Sequence, residues 1–181
     1  MKKTLLAFVI VMGFASPANA ILVAPSPYHS FNDSLFNGRS FSYFHLEDFE
    51  DHLLNTPGVS ASGGGVTSAV FGPTLHDSVD GDDGLIDGSG LDGDSYFSAS
   101  GSTGISFAFD SVVLGSLPTA VGIVWTDGND DILFEAFDSS DVSLGKIGPI
   151  AFSDGSFDGG TAEDRLFGIG SNPTKVEKRP R

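Results

Sequence analysis

Ile105-Ser106-Phe107-Ala108-Phe109-Asp110 alternates bulky apolar residues with small or polar ones. A repeat of two is the pattern of an extended chain with one face in a core and the other toward water. Short apolar runs on either side predict further strands at 41–46, 120–125, 132–137, 142–146 and 164–169. Between them lie Asp127-Gly128-Asn129-Asp130, Asp138-Ser139-Ser140-Asp141 and Asp154-Gly155-Ser156. These residues tolerate left-handed backbone or bond their own main chain, so each cluster reads as a turn. The chain has 24 Gly and 16 Phe and is poor helix material beyond its first residues. The expected fold is all-β, an antiparallel β-sandwich or jelly roll, with Phe107, Phe109, Trp125 and Phe134 in the core. One helix is expected, over 46–54, ended by Pro57-Gly58. Segments 24–38 and 59–65 read as loops.

The start of the chain reads as an export signal. Lys2 and Lys3 precede an apolar run from Leu5 to Phe14, and Ala18-Asn19-Ala20 has the small-x-small form of a cleavage site. The run is shorter than the roughly 20 residues a bilayer span needs, and no later stretch reaches that length. The expectation is a signal peptide over 1–20 and a secreted chain, extracellular or periplasmic, beginning at Ile21. Residues 21–40 would form a flexible N-terminal segment, 41–170 one sandwich domain and 171–181 a basic, disordered tail. Without Lys2 and Lys3, seven of the nine basic residues remain against 24 acidic ones, a formal charge of −17. That charge disfavours nucleic acid and anionic membranes and makes cations the natural counter-species. With no cysteine, the exported fold has to be held by packing, assisted by any ion it binds.

The densest chemistry is acidic. Asp80, Asp82, Asp83, Asp87, Asp92 and Asp94 put six carboxylates into fifteen residues, with Gly81, Gly84 and Gly93 at bends. Calcium takes six to eight oxygens, and glycine lets the backbone wrap the ion, so these six residues are the candidate calcium ligands. The spacing is not that of an EF-hand: counted from Asp80, position 5 is Gly84 and position 12 is Leu91. The competing reading is a solvated acidic loop. The run Glu47 to Asp51 is a weaker ion candidate, with an exposed helical turn as its plain alternative. His29, His45, His52 and His76 make no His-Glu-x-x-His spacing, and no Gly-x-Ser-x-Gly elbow occurs. Glu163-Asp164-Arg165 reads as a structural charge pair at a strand start. No catalytic residue or organic cofactor is predicted.

Taken together, several blocks resemble an exported bacterial family of PEP-CTERM-associated secreted domains. They are Glu47-Asp48-Phe49-Glu50-Asp51, Leu54-Asn55-Thr56-Pro57-Gly58-Val59, Asp77 to Gly84, Leu117-Pro118-Thr119, Val121 to Asp127 and Gly160 to Gly168. The resemblance spans roughly 41–170 and implies an extracellular β-sandwich without known catalysis. Family members continue past the Glu-Asp-Arg block to a closing strand. Here Ser171-Asn172-Pro173-Thr174 follows, so that strand and the Pro-Glu-Pro anchor are expected to be missing. Three function classes result: a non-enzymatic structural or surface-associated protein, with matrix components as partners; a carbohydrate-binding module, with extracellular polysaccharide; and a secreted hydrolase.

Overall fold

The computed structural model describes residues 6–11, 20–49, 51–66, 94–98, 104–126, 131–152 and 164–171. Ten strands run in chain order: β1 (Leu6–Val11), β2 (Ala20–Pro27), β3 (Val59–Ser62), β4 (Gly65–Val66), β5 (Tyr96–Phe97), β6 (Ile105–Phe109), β7 (Ala120–Trp125), β8 (Ile132–Phe137), β9 (Ser143–Ile150) and β10 (Arg165–Ser171). One short helix, α1 (Ser111–Leu114), and a 3-10 turn at Phe31–Asp33 complete the described elements. The fold is all-β, as the alternation requires. No described helix is long and apolar enough to cross a membrane.

Strands β3-β6-β1-β8-β9 form a five-stranded sheet, β2-β10-β7 a three-stranded one, and β4-β5 a small pair. Every pairing that does not involve β1 is antiparallel. β1 is parallel to both of its neighbours, with Phe8 opposite Ile105 and Phe134. The alternation in β8 is complete: Ile132, Phe134 and Ala136 are fully buried while Leu133, Glu135 and Phe137 are only partly covered. The two larger sheets share one core, built from Ile105, Phe107, Ile132, Phe134 and Ala136 on one side and Trp125, Phe167 and Ile169 on the other. Phe134 stacks on Phe167 across it, with ring centroids 5.9 Å apart. Phe109 is only partly buried and packs at the margin.

Strands β7 and β8 have the bounds expected from sequence. β9 runs on to Ile150, and β10 to Ser171. Other segments differ. The domain expected to start at residue 41 draws β2 from residues 20–27, and the 30–36 stretch packs onto it through bare backbone. Gly122 and Gly168 are register partners on β7 and β10. A Cβ at Gly122 would lie 3.0 Å from Phe36 and 3.4 Å from Leu35, and one at Gly168 would run into Leu35. Two facing glycines thus make the recess that Leu35 and Phe36 fill.

The strand expected over 41–46 is irregular chain. Its Phe41 and Phe44 rings gather with Phe31 and Phe36 at centroid distances of 5.5–5.9 Å in place of strand pairing, with Phe31 and Phe44 still exposed. The helix expected over 46–54 is absent as well. Phe49 (φ 63°) and His52 (φ 67°) are left-handed, which a helix cannot absorb. The loop expected over 59–65 instead supplies β3 and begins β4. The described α-helix lies at 111–114, where Asp110 caps the first turn through Val112 N at 2.7 Å and Gly115 ends it with φ 75°.

Candidate functional site

Glu47 organises the loop that precedes β3. Its Oε1 accepts from Phe49 N at 3.3 Å, and its Oε2 accepts from Asn55 N at 3.0 Å, Thr56 N at 2.9 Å and Thr56 Oγ1 at 2.8 Å. Asp51 repeats the device on a smaller scale, accepting from Leu53 N at 3.0 Å and from the Asn55 amide. Chain donors satisfied by carboxylates in this way replace the internal bonds a helix would have made. His45 Nε2 stands 3.9 Å from Glu47 Oε2.

A polar contact at Asp94 and an aromatic one at Tyr96 fasten that loop at β5. His52 Nδ1 pairs with Asp94 Oδ2. Phe49 packs on Tyr96 at 5.7 Å, and Tyr96 on Phe107 at 5.3 Å, which carries the contact into the core. Asp94 is 3% exposed, whereas the imidazole of His52 is largely in solvent. Burial raises the Tyr96 phenol above its ordinary value by disfavouring the phenolate.

Of the six candidate calcium ligands, Asp94 is the one that the described residues include, and it is buried against His52. Asp80, Asp82, Asp83, Asp87 and Asp92 lie outside the described residues, as do His76, Glu163 and the 172–181 tail. In the Glu47 to Asp51 run, Glu47 and Asp51 hold the loop's own donors. Among the described residues, no three His, Asp or Glu side chains come together in a metal-holding group. Asp164 is fully buried at the start of β10. Its carbonyl accepts from Tyr28 N at 3.2 Å and from Arg165 Nη1 at 2.7 Å, and the Arg165 guanidinium lies 4.9 Å from the centre of the Phe152 ring. Trp125, 4% exposed, packs on Phe152, as its place in an apolar run implied.

A second feature is apolar. Tyr43, Pro57, Val113 and Leu114 line an open recess of about 230 Å³. Its lining residues Tyr43 and Val113 are exposed, at 57% and 62%, as are their chain neighbours Phe44 at 44% and Val112 at 89%. Leu46 and Leu53 on the same loop are exposed too. Sequence reading missed this surface because it placed 41–46 in a strand and 46–54 in a helix. The signal available was the crowding of Phe31, Phe36, Phe41 and Phe44 into fourteen residues. Comparisons with family models, curated proteins and solved structures returned no match.

Proposed function

We propose that the chain is a secreted, non-enzymatic β-sandwich protein of structural or surface-associated role, in keeping with its resemblance to PEP-CTERM-associated domains, and that calcium held by its clustered carboxylates stabilises it. The observation that carries this reading is the exposure of Tyr43 and Phe44, just ahead of the loop whose acidic side chains Glu47 and Asp51 serve its own closure, together with that of Val112 and Val113 on α1, with Tyr43 and Val113 lining one recess. Exposed apolar groups about a shared recess mark contact surfaces rather than reaction centres. A core shared by two sheets supports the sandwich arrangement, and the start of the chain supports export.

The test expresses the full chain with its leader in a bacterial host and follows where the product resides. Wild type is expected in the cell-surface fraction with residues 1–20 removed, and Tyr43→Ser with Val113→Ser is expected in the medium. Identical partitioning of the two proteins would refute the contact surface. Intact mass retaining the first twenty residues would refute export. Exposed Tyr43 and Phe44 also suit a second reading, stacking on sugar rings. Retention on a polysaccharide resin that Tyr43→Ser abolishes, with no effect of Val113→Ser, would favour that module.

A further inference from the structure

The middle of the five-stranded sheet is made from the apolar run of the export signal. Leu6–Val11 lies between β6 and β8, with Phe8 to Val11 opposite Ile105 to Ala108 and Leu6 to Val11 opposite Ile132 to Phe137. On their far sides β6 pairs with β3 and β8 with β9. Loss of β1 therefore divides the sheet into two two-stranded pieces and leaves two strand edges facing each other. Adjacent strands lie about 4.8 Å apart, so β6 and β8 would stand roughly 9–10 Å from one another, too far to bond directly. These are not peripheral strands, because Ile105, Ile132, Phe134 and Ala136 are at most 1% exposed. Facing, unpaired edges over a core are a template for an incoming strand.

We infer that the β6–β8 gap is a strand-acceptor site, filled by Leu6–Val11 in the full-length chain and, once that segment is removed, by an extended segment of a separate polypeptide. The inference rests on the export reading for the removal step. The register defines what fits. Leu6, Phe8 and Ile10 stand opposite the core-facing residues Ile132, Ile105 with Phe134, and Phe107 with Ala136, so the incoming strand is apolar at three alternate positions. Lys2 and Lys3 precede the resident strand, while the rest of the chain carries seven basic against 24 acidic residues. A basic flank on the incoming segment matches that charge.

The absence of native cysteine makes engineered thiols clean reporters. In the full-length chain, Val9→Cys with Ser106→Cys sits at one register pair and is expected to form an internal disulfide on oxidation. The processed protein, recovered from the exporting host with Ser106→Cys, is then mixed with a synthetic peptide of residues 4–12 carrying cysteine in place of Val9. Saturable capture at least ~tenfold above that of a Ser140→Cys control on an exposed turn is expected, since docking raises the local thiol concentration. Peptide-dependent folding of a processed chain that is unfolded alone would support the site equally. Failure of the internal disulfide overturns the slot itself. A folded, processed chain that captures no more than the control overturns the exchange, as does self-association that blocks capture, which gives the slot to a second copy. Recovery of chain retaining residues 1–20 instead defeats the export reading and the exchange, leaving the internal disulfide to report on the slot alone.

Discussion

Glu47 is the residue on which the 45–56 loop depends, since four hydrogen bonds converge on its carboxylate and its side chain is only 15% exposed. Bonds to a charged acceptor are each worth about 1.5–3 kcal/mol before solvent competition. Glu47→Ala is expected to cost about 2–3 kcal/mol in urea unfolding, and Glu47→Gln about half as much, because the amide keeps one acceptor oxygen. Equal stability of Glu47→Ala and wild type would show that the loop closes without it. Tyr96 gives a pH dependence of known sign. Its folded-state value lies above the ordinary one, so between the two values the unfolded chain has lost a proton that the folded chain keeps. Stability is unaffected below that window and falls as pH rises through it, beginning near about pH 10. Urea midpoints measured across that range should decline less steeply in Tyr96→Phe; parallel declines would place the loss elsewhere.

At the scale of elements, α1 and the loop before β3 hold one another. Asp110 N donates to Gly58 O at 2.7 Å, and Gly58, at φ +68°, leaves room that a Cβ would take from Leu114 Cγ at 2.8 Å and Asp110 O at 3.3 Å. Gly58→Ala adds left-handed strain of about 1–2 kcal/mol to that contact. The expected result is a loss of about 2–3 kcal/mol accompanied by faster amide exchange at Val112 and Val113. Unchanged exchange there would mean that the helix does not lean on Gly58. Neither partner was legible as structure, and the reasons are physical. The α1 sequence Ser-Val-Val-Leu has no helical periodicity to read, and its cap Asp110 ends a strand pattern. β2 contains Pro25 and Pro27, which discourage a strand assignment yet are tolerated because β2 is an edge. By contrast, β7 and β8 were legible to the residue because largely apolar six-residue runs, broken in β8 by Glu135 alone, ended at recognisable turns. Asp94 stood out as acidic, but its pairing with His52 spans 42 residues of chain and leaves no local trace.

For the whole molecule, charge is the quantity still to be balanced. Beyond residue 20 the chain holds 24 acidic and seven basic residues and no cysteine, so self-repulsion opposes a fold held by packing alone. The density is greatest over 80–94, where Asp80, Asp82, Asp83, Asp87 and Asp92 precede the buried Asp94 within fifteen residues of sequence. A cation bound only by the folded state stabilises by about 2.7 kcal/mol at a hundred times Kd. In a chain of this length that corresponds to roughly 5–10 °C in Tm. The protein is therefore expected to melt that much higher in millimolar calcium than in EDTA at matched ionic strength. Asp80→Asn, Asp82→Asn and Asp83→Asn combined should erase the difference while leaving the EDTA value the same or higher, because repulsion is relieved. Asp94→Asn should instead lower Tm under both conditions, since it weakens the tie between β5 and the His52 loop. An equal rise with magnesium, or a calcium increment that survives the triple replacement, would reduce residues 80–94 to a solvated acidic loop and leave the fold to its packing.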